Sequence, residues 1–221
     1  MSFPVPEIAV FKASDAYKAD PSSLHGLFDT LATTEGMSGT YYGFETEDPS
    51  NLFTVHGITT FLVISSPFLI WSSIPVWDTK EASLAFRNRK DFDDVVAASL
   101  PAFGSQPDVS HVQFTSDVIR PLAAPATEFV TFTLKEGQSV ENLLPLVKQL
   151  YEGVAITPTA HGSSWGPVIG KPDVYYGILG WDTVQAHWDA VSAGPLKVII
   201  DNVKEIAAIS LVHALLKKYT K

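Results

Sequence analysis

Apolar and polar positions along this chain follow two rhythms, and the order in which the rhythms alternate occurs twice. Glu7–Lys12 is a short apolar run that predicts a strand. After Pro21-Ser22-Ser23, the residues Leu24, Leu27, Phe28 and Leu31 take the i, i+3, i+4, i+7 spacing of one buried helix face, which Gly36 ends. Met37–Phe44 predicts a second strand. Glu47-Asp48-Pro49-Ser50-Asn51 is a turn cluster, and residues 53–64 predict an extra strand or edge loop. Residues 68–77 predict the third regular strand, followed by a broken helix that Pro101 stops, and residues 109–114 the fourth strand. Residues 117–126, with Pro121 and Pro125, read as a connector. Strand patterns then return at 128–135, 160–167, 173–181 and Ala207–Ala214, and helix patterns at 139–153, from Thr183 and from Pro195. Pro145 falls inside the first of these helices, so a kink or a late start is expected there.

The repetition can be aligned. A shift of 104 lays residues 70–77 on 174–181 and the tripeptide Trp77-Asp78-Thr79 on Trp181-Asp182-Thr183. A shift of 123 lays Lys12 on Lys135, the stripe Leu24, Leu27, Phe28, Leu31 on Val147, Leu150, Tyr151, Val154, and Gly39-Thr40-Tyr41-Tyr42-Gly43 on Gly162-Ser163-Ser164-Trp165-Gly166. The difference of 19 residues between the shifts predicts an insertion around 47–66 in the first copy. Asp78 with Glu81, and Asp182 with Gln185, have the spacing of helix caps.

Each copy reads strand, helix, strand, strand, helix, strand, the order of a ferredoxin-like unit. Strands such as 174–181 are apolar on both faces, so each sheet needs cover on the side away from its helices. The expectation is an α+β chain of two ferredoxin-like repeats, residues 1–116 and 126–221, fused into one pseudo-two-fold α/β barrel. Such a chain would be a monomer with a pseudo-dimeric fold, or a homodimer of it.

Composition narrows the function. A net charge of −9 argues against a phosphate-binding surface and hence against nucleic acid. With no cysteine there is no disulfide, no thiolate nucleophile and no cysteine zinc site. The first twelve residues lack a basic region followed by an apolar core, so a cytoplasmic location is expected. Residues 52–77 contain no Asp, Glu, Lys or Arg, long enough for a membrane span, yet His56, Gly57, Pro67, Pro75 and several Ser and Thr make buried strands the better reading.

Tandem ferredoxin-like halves with Trp-Asp-Thr after the third strand resemble the dimeric α/β-barrel superfamily, most closely the fused stress-responsive or antibiotic-biosynthesis-monooxygenase-like members found in fungi. The resemblance covers nearly the whole chain outside the insertion and rests on architecture. It implies a pocket for a small hydrophobic or aromatic molecule of phenolic or polyketide type, with a stress-related role or, alternatively, cofactor-independent chemistry of the cyclase, lyase or monooxygenase kind. The fold itself does not choose among these.

The residues supply candidates for the chemistry. Gly162-Ser163-Ser164-Trp165-Gly166 fits the G-x-S-x-G nucleophile elbow, but Pro167 and the residues after it cannot form the helix an elbow requires. The six histidines show no metal spacing, so the sequence leads to no expected metal or cofactor and leaves open only a site assembled through space or a haem on one histidine. His187 lies in the stripe Val184, His187, Trp188, Val191 and should point inward, either as a hydrogen-bonded core residue or as a general base beside a ligand. His161 shares a strand face with Ser163 and Trp165. In the first copy Ser83 and Ser38 stand where His187 and His161 stand in the second. Tyr175, Tyr176, Trp181 and His213, on adjacent strands, together with Trp165 and Trp188, are the aromatic candidates for a pocket wall, with plain core packing as the alternative. A ligand is therefore expected in the second half, between the sheet and the helix from Thr183, with His187 or His161 moving a proton.

Overall fold

The structure, a computed structural model, describes residues 6–33, 37–58 and 90–220. Its contacts divide the chain into two compact units, residues 1–111 with 217–221 and residues 112–216.

In the second unit, β5 (Ala126–Leu134) is followed by α5 (Val140–Ala155), β6 (Ala160–Val168), β7 (Lys171–Trp181), α6 (Val184–Ser192), α7 (Gly194–Ile206) and β8 (Ala207–Ala214). The sheet is antiparallel in the order β6-β7-β5-β8, which is the ferredoxin-like order second, third, first, fourth. Alternation along the strands sends Ala126, Val130 and Phe132 of β5, and Tyr175, Leu179 and Trp181 of β7, to the face that α5 and α7 cover with Leu143, Val147, Leu150, Leu196 and Val203. This is the core of the unit. Helix α5 runs on through Pro145, which lies in its second turn and costs it the hydrogen bond to the Glu141 carbonyl.

The opposite face of the sheet carries Phe129, Tyr176 and Ile178, also buried. The expected connector contributes a short helix, α4 (Ile119–Leu122). A Cβ on Gly180 would lie 2.9 Å from Pro121 Cα and 2.7 Å from Ala124 Cβ, so the missing side chain lets this segment lie against β7. Just before it, residues 112–116 run along the edge of β6: Gln113 N–H donates to the Pro167 carbonyl and Thr115 N–H to that of Trp165. The fourth strand of the first unit therefore ends at His111, earlier than the expected residue 114.

In the first unit, β1 (Glu7–Lys12) leads into α1 (Asp15–Ala19), a 3-10 turn (Pro21–Leu24) and α2 (His25–Ala32). Strands β2 (Met37–Phe44) and β3 (Asn51–Ile58) form a hairpin, and α3 (Phe92–Ser99) and β4 (Asp108–His111) follow. The sheet order is β4-β1-β3-β2-β9, with the short β9 (Lys217–Lys218) added at the β2 edge. Phe11, Leu24, Phe28, Leu31 and Leu52 form the core on the helix side.

One expectation is corrected here. The strand between β1 and β2 is Asn51–Ile58, inside the stretch that the repeat alignment assigns to an insertion; residues 68–77, the expected third strand, lie outside the described residues. Register explains the error. Tyr42 stands opposite Thr54 as Trp165 stands opposite Gly177, so the shift of 123 continues unbroken through the hairpin into the third strand. The second shift, drawn through Trp77, did not mark that strand. The chain is α+β, with two ferredoxin-like units in tandem.

Candidate functional site

The second unit holds a cavity of about 390 Å³ between its sheet and its helices. Val130, Phe132, Leu179, Ile209 and Leu211 form the sheet wall, Leu150 and Val154 of α5 and Leu196 and Ile200 of α7 the helix wall, and Trp165, Trp181 and Trp188 line it as well. Trp165 stacks on Phe132, with ring centres 5.4 Å apart and planes 23° from parallel. Its ring lies across Gly177, where a Cβ would stand 2.3 Å from Cζ3. A bare backbone position in β7 thus sets the place of one aromatic wall.

Two buried polar side chains break this lining, Glu128 and His187, while Ser192, Lys197, Asp201 and Lys204 line it from more exposed positions. Glu128 is on the helix-facing side of β5, in phase with Val130 and Phe132. Its cross-strand partner on β8 is His213. Helix α6 delivers His187 onto this pair: Nδ1 of His187 is 2.8 Å from Nε2 of His213, and Nε2 of His187 is 3.4 Å from Oε2 of Glu128. The same carboxylate oxygen accepts a hydrogen bond of 2.8 Å from Nε1 of Trp181. One tautomer set satisfies all of this, with His213 Nε2–H donating to His187 Nδ1 and His187 Nε2–H directed at the carboxylate. The result is a buried chain, His213 to His187 to Glu128, braced by an indole N–H. Trp188 closes over it, 4.7 Å from the His187 ring centre and edge-on to His213 at 5.6 Å.

Among the described residues, these three also form a group that could hold a metal ion, with one ligand atom from each all within 4.8 Å of one another. Two imidazoles and a carboxylate suit zinc or ferrous iron. In this structure, however, His187 directs its two nitrogens at two different partners, and 2.8 Å between imidazole nitrogens is hydrogen-bond distance.

The tripeptide Trp181-Asp182-Thr183 has three separate duties. Trp181 braces Glu128. Thr183, and not Asp182 as expected, caps α6, its hydroxyl accepting from the Ala186 N–H at 2.9 Å. Asp182 instead pairs with His161, Nε2 to Oδ1 at 2.7 Å, in a partly exposed setting. The matching tripeptide at 77–79 lies outside the described residues, as do Ser83 and the side chain of Ser38.

The candidates therefore separate. His187, Trp165, Trp181 and Trp188 line the cavity. His213 lies behind His187, fully buried. Tyr175 packs in the helix-side core without lining the cavity. Tyr176 faces the other way, 6.5 Å from Phe129. His161 is also on that other side: its Cβ is 3.0 Å from where a Cβ of Gly180 would stand. The strand bulges between Ala160 and Ser163, and positive φ at Gly162 takes His161 out of phase with Ser163 and Trp165. Ser164 is no elbow nucleophile, being buried in mid-strand and donating to the Ser116 carbonyl at 2.8 Å. Sequence reading passed over Glu128 altogether. Its signal was an acid in phase with Ala126, Val130 and Phe132 on an inward strand face.

The first unit carries a related pair. Glu7 is cross-strand from His111, as Glu128 is from His213, with Nε2 and Oε2 3.3 Å apart. Burial raises the Glu7 carboxyl above its usual value despite this partner. On the other flank of Glu7 stands His56, whose Nδ1 is 3.1 Å from Thr40 Oγ1 and whose burial lowers its pKa to about 4.

No protein-family model matches this sequence, and no curated protein matches it. Solved structures do resemble it over its whole length. A candidate monooxygenase of Fusobacterium nucleatum matches with a TM-score of 0.70 at 11% identity, covering 100% of this chain and 95% of its own. A candidate monooxygenase of Lactobacillus acidophilus matches at 0.65 and 13% identity, covering 99% and 96%. An anthrone oxidase-like protein matches at 0.64 and 11%, covering 100% and 97%. At such identities the likeness concerns the fold. The shared feature is the fold, two ferredoxin-like units in one chain, which those candidate monooxygenases match over nearly their whole length.

Proposed function

We propose that the second unit binds a flat, largely apolar aromatic molecule in its cavity and removes a proton from it without a cofactor. The observation that carries this is the Glu128-His187-His213 chain, set into the buried and otherwise apolar part of the cavity wall. Burying three ionisable groups opposes folding unless they are paired, and these are paired to one another. Glu128 is the base. It lines the cavity, and its Oε2 is held by Trp181 and His187, so the carboxylate is oriented toward a ligand stacked among Trp165, Trp181 and Trp188. His187 and His213 position it and spread the charge change that follows proton uptake.

An anthrone is a fitting probe, as the resemblance to an anthrone oxidase-like protein suggests. Its CH2 proton is acidic because the anion left behind is a fully aromatic ring system, and dioxygen can then convert it to the quinone: C14H10O + O2 gives C14H8O2 + H2O. Protein and anthrone in air-saturated buffer, followed by mass spectrometry, should show quinone forming faster than in buffer alone. A second reading, binding without turnover, is favoured by one observation: both nitrogens of His187 are engaged within the protein. Quenching of tryptophan fluorescence without product would select it, and neither quenching nor product would sink both.

A further inference from the structure

The mouth of the cavity differs chemically from its interior. Helix α7 lines the cavity with Leu196 and Ile200 and, on the adjoining face, with Lys197, Asp201 and Lys204. These three are spaced i, i+4, i+7 and so form one row along the helix, each about half exposed. Lys197 Nζ is hydrogen-bonded to Asp201 Oδ2, while Lys204 Nζ reaches the other oxygen only at 3.9 Å. Both ammonium groups, Lys197 first, hold the Asp201 carboxyl below its usual value. Two ammonium groups sharing one carboxylate leave a local excess of positive charge in a chain whose net charge is −9.

We infer that the ligand is an aromatic acid: a fused-ring body that fills the apolar interior and a carboxylate that remains at the mouth against Lys197 and Lys204. This rests on the cavity being a ligand site and adds the class of ligand. The physical argument is one of matched ends. The interior accepts rings but no charge, because any anion placed there would be desolvated beside the Glu128 carboxylate. At the mouth an anion stays hydrated and gains two cations, one of which has only a long contact with Asp201. An acid would therefore enter with one orientation, rings inward, which presents the far end of the ring system to Glu128.

Two anthracenes of nearly equal shape make the test, anthracene-9-carboxylate and neutral 9-methylanthracene, titrated into the full chain and followed by tryptophan fluorescence at low and high salt. The expected result is that the acid binds about tenfold more tightly than the neutral compound in low salt, an advantage that salt reduces. In Lys197→Gln/Lys204→Gln the ratio should fall to about one. Lys204→Glu should reverse the preference toward 9-(aminomethyl)anthracene. Both changes are at half-exposed positions, so loss of fold is not the expected cause of any effect. Neutral binding with no preference for the acid overturns this inference alone, and so does a preference that survives in the double variant. Failure of every anthracene to bind overturns the ligand site as well.

Discussion

His187 and His213 face each other at 2.8 Å, nitrogen to nitrogen, although 26 residues separate them and one is on a helix while the other is on a strand. Both rings are buried, and the second nitrogen of His187 turns to Glu128. Neither imidazole can be replaced without changing the surroundings of the other. The pair is thus one structural unit, and its energetics should be those of a coupled pair.

The first prediction follows from that coupling. Replacing His213 by Leu leaves Nδ1 of His187 buried without this partner, at a cost of about 1–3 kcal/mol. Replacing His187 by Phe withdraws a partner from Glu128 and should cost a similar amount. The double variant should be less destabilised than the two single values together, because the second change removes a group that the first had stranded. Urea unfolding of the four proteins closes the cycle, and strict additivity would show that the contact has no energetic weight.

Glu128→Gln keeps the shape of the side chain and an oxygen for Trp181 Nε1–H but removes the base. If Glu128 takes the proton, anthrone turnover should fall by a factor of about 100 or more while fluorescence quenching by the ligand persists. Equal turnover in the variant would assign the chemistry elsewhere.

His56 makes the first unit sensitive to acid. Its pKa in the fold, about 4, lies below the ordinary 6.5, so the unfolded chain takes up the proton first as pH falls. Stability should therefore decline between pH 6.5 and 4, by up to about 3 kcal/mol from this group. Glu7 has the opposite sign: its raised pKa favours the fold while it is protonated, and that contribution is lost as pH rises through the folded value. Comparing wild type with His56→Gln isolates the histidine, since Glu7 is common to both. The variant should show a shallower loss of stability on acidification, and an unchanged slope would refute the assignment.

Two glycines test what fixes the Trp165 wall. A Cβ at Gly177 would meet a side chain, the Trp165 ring at 2.3 Å, whereas a Cβ at Gly166 would meet the Gln113 carbonyl oxygen at 2.1 Å, which is backbone. Gly177→Ala should cost about 1–3 kcal/mol and alter the near-ultraviolet dichroism of the Trp165–Phe132 stack. Gly166→Ala should lower Tm further, because the segment from 112 to 116 would have to leave the edge of β6. The reverse order of Tm values would mean that this segment is not held there.

The chelator experiment completes the set. Because His187 directs one nitrogen at His213 and the other at Glu128, prolonged EDTA treatment should leave both Tm and ligand quenching as they were. Stoichiometric zinc or iron recovered from the purified protein, with a fall in Tm on its removal, would convert the chain into a metal site.

Much of the architecture was legible because it depends on local patterns. Strands at Glu7–Lys12, Met37–Phe44 and Ala207–Ala214 were read at the bounds the structure gives, since alternation and turn residues act within a few positions. The inward turn of His187 followed from helical spacing alone. The third strand of the first unit was misplaced for a physical reason: apolar runs at 53–64 and 68–77 have equal claims as strands, and only pairing with β1 and β2 decides between them. A shared tripeptide was a poorer guide than the register across the hairpin.

The site was half legible. Alternation along β5 places Glu128 in phase with Val130 and Phe132, a signal the sequence reading did not use, and it carries nothing about His213 opposite, because cross-strand partnership depends on how β5 and β8 slide past each other. His161 was assigned to the pocket by counting twos along a strand, and a bulge at Gly162 broke the count. The sequence by itself determined the elements, their order and which faces are apolar, all of which follow from chain stereochemistry and the removal of apolar side chains from water. Only the tertiary structure decided which polar groups meet inside. Hydrogen bonds of about 3 Å require three elements, β5, α6 and β8, to be fixed in register and depth at once, and no local pattern carries that information.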